Sequence, residues 1–262
     1  MIYAKKSLGQ NFLIDKNIIK KIVNISNIRN KNVLEIGPGK GALTDQILEN
    51  QPKSLTLIEK DKLLSDKLKL KYYKNSKIKI LNKDILKFDF EKVINENSII
   101  FGNLPYNISS QILIQVLKFK KWPPKYSDLI FMFQREMAER IIGRFGTSKY
   151  GRLSIITKYR LEIADKFNIS PFCFTPIPKV ISTVLHFVPT KKSYTRIKNI
   201  NSLEKITNIF FSNKRKMINK NIKKIFNKNK KINELKNLDL KARPSEVKPE
   251  LFYKITQIFE KN

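Results

Sequence analysis

Short apolar runs alternate with amphipathic stretches along the first three quarters of the chain. Six runs rich in β-branched and aromatic residues predict strands at Val33–Ile36, Ser54–Glu59, Ile78–Leu81, Ser98–Phe101, Leu129–Phe133 and Val180–Val188. Amphipathic spacing predicts helices at Ala42–Glu49, Lys62–Tyr72, Ser109–Phe119 and Gln134–Ile142. This βαβα order predicts an α/β fold, with a mostly parallel sheet, helices on both faces and a ligand site beyond the carboxyl ends of the strands.

The last part of the chain has helical spacing only. Apolar residues recur at Leu203, Ile206, Ile209 and Phe210 and again at Met217, Ile218, Ile222 and Ile225. We therefore predict two domains: residues 1–190, which carry the sheet, and residues 191–262, a basic all-helical domain. Lys191, Lys192 and Ser193 follow the last strand and are typical of a linker.

The charge is strongly unbalanced. The chain of 262 residues carries 53 basic and 22 acidic side chains, a formal net charge of +31. Lys outnumbers Arg 44 to 9, and A/T-rich codons alone could supply many lysines, but they do not explain the shortage of acids. The excess predicts a polyanionic partner, nucleic acid before an anionic membrane.

The numbers of cysteine and histidine residues exclude several classes of site. The chain has one cysteine, Cys173, and one histidine, His186. A structural zinc site needs about four such ligands and a disulfide needs two cysteines, so we expect neither a metal nor a disulfide framework. There is also no apolar run of the length that spans a membrane. We expect a monomeric cytoplasmic protein.

A glycine loop follows the first predicted strand. Residues 37–41 read Gly-Pro-Gly-Lys-Gly, a G-x-G-x-G spacing and not the G-x-G-x-x-G of dinucleotide sites. Pro38 has no N–H to offer a pyrophosphate. Such a loop suits a nucleoside without phosphates, and a nicotinamide-linked oxidoreductase is disfavoured.

Two carboxylates follow the next two strands. Glu59 ends the strand Ser54–Glu59, the place from which a carboxylate reaches ribose hydroxyls in doubly wound folds. Asp84 follows the third strand and could accept a hydrogen bond from an adenine amino group. Together with Gly37 they occupy three successive strand ends, an arrangement that resembles S-adenosylmethionine-dependent methyltransferases with a Rossmann-like sheet.

The fourth predicted strand runs into Asn103-Leu104-Pro105-Tyr106. This sequence resembles the (D/N)-P-P-(Y/F) motif of amino-methyltransferases, in the N-(L/I)-P-Y form of RNA adenine methyltransferases. The N6 lone pair of adenine is delocalised into the ring, so acceptors aimed at both N–H bonds favour the nucleophilic, pyramidal nitrogen. The Asn103 side-chain oxygen and the Leu104 carbonyl can be those acceptors, Pro105 fixes the turn, and Tyr106 offers a flat face to an unstacked base.

Further segments extend the resemblance to nearly the whole chain. Together with the glycine loop and the Asn103–Tyr106 motif, they resemble the small-subunit ribosomal RNA adenine dimethyltransferases, the KsgA family. These segments are Tyr3–Leu13, Gln134–Ile141, Phe174–Val180 and Arg243–Val247.

The resemblance implies cofactor contacts, catalytic residues and a substrate. It implies S-adenosylmethionine contacts from Asn11, Leu13, Gly37, Glu59, Asp84 and Asn103. It implies catalysis at Asn103, Leu104, Pro105 and Tyr106, with Phe174 as a second aromatic face. The implied substrate is 16S rRNA within the small ribosomal subunit, where two adjacent adenosines near the 3′ end each receive two methyl groups during subunit maturation.

The chain departs from the family pattern before Phe174. Residues 170–173 read Ser-Pro-Phe-Cys where Pro-Pro-Ser-Ala is usual, and Ile181 stands where Asp is common. Phe172 therefore competes with Phe174 as the ring that stacks on the base.

The basic C-terminal part has two interpretations. Lys214, Arg215, Lys216 and Lys220 are predicted to contact rRNA phosphates; the alternative is a solvated helix face.

Two further functions remain open. One is the sister enzyme type that methylates large-subunit rRNA and confers macrolide resistance, which tends to have Ile where Leu104 stands and lacks the Gln134–Ile141 pattern. The other is a small-subunit assembly factor without catalysis.

Overall fold

The computed structural model describes residues 9–191, 196–226, 235 and 238–261. Residues 3–8 of the N-terminal motif and Lys192 and Ser193 of the predicted linker lie outside this range. The described strands are Phe12–Leu13 (β1), Asn32–Ile36 (β2), Ser54–Glu59 (β3), Ile78–Asn82 (β4), Ser98–Asn103 (β5), Tyr126–Gln134 (β6), Leu161–Ile169 (β7), Phe174–Thr175 (β8) and Ser182–Pro189 (β9). The described α-helices are Lys16–Val23 (α1), Ala42–Glu49 (α2), Lys62–Lys71 (α3), Ser109–Leu117 (α4), Arg135–Ile141 (α5), Arg152–Arg160 (α6), Ile200–Phe211 (α7), Asn219–Phe226 (α8) and Pro249–Phe259 (α9).

Seven strands form one sheet in the order β4-β3-β2-β5-β6-β9-β7. The pairs from β4 to β6 are parallel, and β9 runs antiparallel to β6. Strands β2 and β5 are almost entirely buried, as expected for central strands covered on both faces. The predicted α/β fold with a Rossmann-like, mostly parallel sheet is therefore confirmed.

The strand order reverses direction between β2 and β5. From β2 the chain moves outward through β3 and β4, and then returns to place β5 on the other side of β2. A crevice forms at such a switch point, beyond the carboxyl ends of the strands. The two short strands β1 and β8 form a separate antiparallel pair, in which Leu13 is paired with Phe174.

The chain divides into two compact units that differ from the predicted domains in one segment. The first comprises Met1–Ala138 and Ile163–Pro189, and the second comprises Glu139–Glu162 and Thr190–Asn262. The sequence prediction placed residues 139–162 with the sheet, in the domain 1–190.

Side chains explain why residues 139–162 group with the C-terminal helices. The Tyr150 hydroxyl donates to the Val247 carbonyl over 2.9 Å, and the Tyr253 hydroxyl donates to the Ile155 carbonyl over 3.1 Å. Both tyrosines are buried, so each hydroxyl needs such a partner. No helix among the described residues has the length and apolarity to cross a membrane.

Candidate active site

A cavity lies at the carboxyl ends of β2, β3 and β5, in the first unit. It brings together most of the residues predicted from the sequence. Its lining includes Asn11, Leu13, Gly37, Glu59, Asn103, Leu104, Pro105 and Tyr106. The N-terminal segment from Gly9 to Leu13 forms one wall, the glycine loop a second and the Asn103–Tyr106 motif a third.

The glycine loop needs its glycines for conformation and for space. Gly37, Gly39 and Gly41 have φ angles of 69°, 59° and 85°, a left-handed backbone that side chains disfavour. A Cβ atom on Gly39 would lie 3.1 Å from the Phe12 ring, and one on Gly41 would lie 2.7 Å from the Tyr72 hydroxyl. Any larger residue would therefore be strained and would displace a neighbour.

The three glycine amides of this loop are already used within the protein. Gly37 N–H donates to Ile58 O over 2.9 Å, Gly41 N–H to Pro38 O over 2.8 Å, and Gly39 N–H to Glu59 Oε2 over 3.1 Å. Pro38 has no N–H. The loop therefore offers few N–H groups to a pyrophosphate, and it suits an uncharged nucleoside better.

Glu59 is held in place by two backbone amides. Its Oε2 accepts the Gly39 N–H, and its Oε1 accepts the Asp61 N–H over 2.8 Å. Burial raises the pKa of this carboxyl, and the hydrogen bonds oppose the rise. A carboxylate has about four acceptor positions, so Glu59 can also accept from ribose hydroxyls. The loop and Glu59 together fit the nucleoside part of S-adenosylmethionine.

The Asn103 amide has a fixed orientation. Its Nδ2 donates a hydrogen bond to the backbone carbonyl of Asn11 over 3.1 Å. Because the NH₂ group is engaged with the N-terminal wall, the Oδ1 atom is turned away from that wall. Asn103 lines the cavity, and its oxygen is therefore available as an acceptor there.

The rest of the motif is packed tightly. The Leu104 side chain is buried, and a Cβ atom on Gly102 would lie 2.5 Å from Leu104 Cδ2. The Tyr106 hydroxyl lies 2.6 Å from Ser182 Oγ at the start of β9. Gly102 therefore permits the turn, and Ser182 anchors the Tyr106 ring.

Two predicted residues are not part of the cavity lining in this structure. Asp84 Oδ2 pairs with Lys60 Nζ over 2.9 Å, and its Oδ1 accepts the Leu86 N–H over 3.1 Å. The Phe174 ring is only 1% exposed and packs in the core cluster with Leu13. By contrast, the Phe172 side chain is 78% exposed.

Sequence reasoning missed Glu35. This residue lies inside β2, lines the cavity and is almost fully buried. Its Oε2 accepts a hydrogen bond from the Thr44 hydroxyl over 2.6 Å, and burial raises its pKa to about 8. An acidic residue in the otherwise apolar run Val33–Ile36 is the signal that could have identified it.

The predicted RNA-contacting residues lie in the second unit. Lys214, Arg215 and Lys216 are exposed in the connection between α7 and α8, and Lys220 is exposed near the start of α8. The same helix buries Ile222 and Phe226. Its basic side chains therefore form the solvent face of an amphipathic helix.

Comparison with known proteins identifies the family. The family model for ribosomal RNA adenine dimethylase matches residues 1–261. The ribosomal RNA small subunit methyltransferase A of Pelagibacter ubique is 44% identical over 99% of this chain and 98% of its own length. The protein of the same name from Malacoplasma penetrans is 41% identical over 97% of this chain and 91% of its own length.

Solved structures agree in fold. A dimethyladenosine transferase from Plasmodium falciparum superposes with a TM-score of 0.78 at 26% identity, covering 95% of this chain and 98% of that one. The 23S rRNA methyltransferase ErmE has a TM-score of 0.68 at 22% identity, covering 95% and 99%, and shows the fold alone. The chain belongs to the ribosomal RNA adenine dimethylase family, whose members use S-adenosylmethionine as methyl donor.

Proposed function

We propose that this protein transfers two methyl groups to the N6 atom of each of two adjacent adenosines in the hairpin near the 3′ end of 16S rRNA, during maturation of the small ribosomal subunit. The relatives named small subunit methyltransferase A support the choice of substrate. The observation that carries the chemistry is the Asn103 side chain, which lines the cavity and donates through Nδ2 to the Asn11 carbonyl, while its Oδ1 has no donor among the described residues.

The chain's residues divide the cavity into a cofactor half and a base half. Gly37 and Glu59 would hold the nucleoside of S-adenosylmethionine, with Asn11 and Leu13 closing the N-terminal wall. When bound, S-adenosylmethionine supplies an electrophilic methyl group on a sulfonium. The predicted roles of Asp84 and Phe174 stay predictions, because neither lines the cavity in this structure.

The base half prepares the adenine nitrogen. Asn103 Oδ1 accepts one N6–H bond and the Leu104 carbonyl accepts the other, which draws the lone pair out of conjugation with the ring. Both acceptors bind most strongly when the nitrogen becomes pyramidal and its N–H groups gain positive charge. They therefore stabilise the transition state more than the bound substrate, which lowers the activation barrier. The Tyr106 ring holds the unstacked base flat against the wall.

Phosphate contacts would be made by the basic residues Lys214, Arg215, Lys216 and Lys220. Such contacts position an enzyme on rRNA without reading its sequence. The exposure of these four side chains supports this role. We further propose that the protein acts as a monomer in the cytoplasm, where ribosomal subunits are assembled.

A methyl-transfer assay tests the proposal against its alternatives. Small subunits that lack the modification and large subunits are incubated separately with the protein and S-adenosylmethionine, and the modified bases are mapped. We expect two methyl groups on each of two adjacent adenosines in small-subunit RNA only. Transfer to large-subunit RNA would favour the macrolide-resistance type of enzyme. Tight binding to small subunits without transfer would favour an assembly factor.

A further inference from the structure

Exposed apolar side chains lie on the loop between β7 and β9 and directly after Leu13, which lines the cavity. Apolar side chains are solvent-exposed at Ile14, Phe172, Ile177, Val180 and Ile181. We call these five residues the apolar rim. Single exposed apolar residues are ordinary on a protein surface, but a group of them marks an interaction site.

Hydrogen bonds tie the apolar rim together. The Ile14 N–H donates to the Cys173 carbonyl over 2.9 Å, which joins the N-terminal segment to the turn that carries Phe172. At the other end, the Arg135 N–H donates to the Ile181 carbonyl over 2.9 Å. The loop is therefore fixed to the body of the first unit at both ends.

Both ends of the loop also meet the wall of the cavity. Phe174, two residues after Phe172, is paired with Leu13, which lines the cavity. Ser182, the residue after Ile181, lies 2.6 Å through its Oγ from the hydroxyl of Tyr106. The loop that carries four of the five rim residues is thus joined to the N-terminal wall at one end and to the aromatic side chain proposed to hold the target base at the other.

Phe172 is the most exposed member. It lies in a 3₁₀ turn, Pro171–Cys173, in which the Phe172 N–H donates to the Ser170 hydroxyl oxygen over 3.4 Å. The turn fixes the backbone while 78% of the Phe172 side chain faces solvent. Leaving so large an apolar side chain in water gives up the stabilisation that burial provides. Phe172 is not part of the hydrophobic core cluster that the described residues form.

The charge beside the apolar rim suits a polyanion. Two exposed lysines lie near the rim in the sequence: Lys16 is two residues after Ile14, and Lys179 directly precedes Val180. The neighbouring acid, Asp15, accepts the Ile18 N–H over 3.0 Å as the cap of α1. A flat ring with cationic side chains nearby is the combination by which proteins hold unpaired nucleotides.

We propose that Phe172, with the apolar rim around it, stacks on the unpaired base next to the adenosine that occupies the cavity. This rests on the proposed function, because two adjacent adenosines are modified and one must wait outside while the other reacts. A base held outside the cavity exposes a flat apolar face, and the Phe172 ring covers it. Phe172 thereby contributes to recognition of the tandem adenosines.

Two variants of Phe172 and one control variant elsewhere test the proposal. Phe172→Ser removes the ring, whereas Phe172→Tyr keeps a ring of similar area. Leu70→Ser is the matched control, because Leu70 is 75% exposed but lies on α3. The measured quantities are KM for undermethylated small subunits and the affinity for S-adenosylmethionine. Loss of one base–aromatic stack weakens binding about 5- to 150-fold. We expect KM to rise by that factor in Phe172→Ser only, with cofactor affinity unchanged in all three variants.

A fluorescence measurement tests whether the side chain at position 172 contacts a base. Phe172→Trp places a fluorophore at the rim, and stacking on a base quenches indole emission. We expect undermethylated small subunits to quench the fluorescence of the variant more than that of the unmodified protein, whose Trp122 provides the background.

If Phe172→Ser methylates small subunits with an unchanged KM, the stacking proposal is wrong even though the proposed function stands. A raised KM without quenching would show that Phe172 contacts a ribosomal protein and not a base. If the unmodified protein itself transfers no methyl groups to small subunits, the proposed function fails first.

Discussion

The Asn103 amide nitrogen lies 3.1 Å from the backbone carbonyl oxygen of Asn11, and this contact joins two residues that are 92 positions apart in the sequence. The contact links the N-terminal segment to the Asn103–Tyr106 motif. It also orients the amide, because one N–H of Nδ2 is used by Asn11 while Oδ1 has no hydrogen-bond donor among the described residues.

Asn103→Ala should abolish most methyl transfer while leaving the fold intact. Loss of one preorganised hydrogen-bond partner of the transition state typically costs about 10²–10³ in rate, or about 3–4 kcal/mol. Single-turnover methylation of small subunits at saturating S-adenosylmethionine measures the chemical step apart from binding. Asn103→Asp separates the two roles of the side chain, since it keeps an acceptor but loses the donor to Asn11. Transfer by Asn103→Ala at the unmodified rate would contradict the catalytic role of the motif.

The central strands and the motif could be predicted from the sequence for the same reason. Buried strands such as Ser54–Glu59 are rich in apolar and β-branched residues, and the polar residues of the site come where those strands end. Strand β7 was missed because it is an edge strand whose middle residues, including Asp165 and Lys166, are exposed. Its pattern lacks the alternation of a half-buried strand.

Side-chain partners were beyond prediction from sequence spacing. Asp84 follows a strand end as expected, but Lys60 and the Leu86 amide compete for its oxygens. Phe174 is buried because its strand pairs with Leu13, a contact between residues far apart in the chain. Such choices depend on tertiary neighbours, which no local pattern records.

Tyr106 should tolerate loss of its hydroxyl better than loss of its ring. Tyr106→Phe keeps the stacking face and gives up the hydrogen bond to Ser182, a cost of about 0.5–1.5 kcal/mol. Tyr106→Ala removes the face that holds the base, so its single-turnover rate should fall much further. Ser182→Ala is the matched control, because it breaks the same hydrogen bond from the other side and should resemble Tyr106→Phe. Equal loss in Tyr106→Phe and Tyr106→Ala would mean that the hydroxyl, and not the ring, is essential.

Glu59→Ala should weaken binding of S-adenosylmethionine by about 1–3 kcal/mol, because charge-assisted hydrogen bonds to the ribose are lost. Isothermal titration calorimetry measures the change directly. Glu49→Ala, at the end of α2, removes a carboxylate outside the cavity lining and should leave the affinity unchanged. Unaltered affinity in Glu59→Ala would show that this carboxylate only organises the loop through Gly39 and Asp61.

Glu35→Gln should remove a pH-dependent part of the protein's stability. Burial raises the pKa of Glu35 to about 8, with further increases from Glu59 and Asp45. The Thr44 hydrogen bond and Lys71 act in the opposite direction. The folded protein therefore keeps a proton that the unfolded chain loses near pH 4.5. The contribution of Glu35 to stability is highest below that pH and falls as the pH rises towards 8, by up to about 1.4 kcal/mol per pH unit.

Urea unfolding of both proteins at several pH values checks this. We expect the free energy of unfolding of Glu35→Gln, relative to the unmodified protein, to rise between pH 4.5 and 8 and to level off above. Parallel pH profiles for the two proteins would mean that Glu35 is already ionised in the folded state.

Neutralising Lys214, Arg215, Lys216 and Lys220 together, each to Gln, should weaken binding to small subunits and flatten its salt dependence. Each lost phosphate contact removes about 0.7–0.9 from the slope of log K against log salt concentration, so four lost contacts lower its magnitude by about 3.

The matched control replaces four exposed lysines of the first unit, Lys67, Lys74, Lys77 and Lys79, with Gln. Both variants lose the same charge, so a purely long-range effect of the +31 net charge would change both slopes equally. A reduced slope in the C-terminal variant alone would establish local phosphate contacts, because released counterions report the sites where phosphates are neutralised. An unaltered slope in that variant would assign its basic residues to solvation, and affinity for S-adenosylmethionine should stay constant in either case.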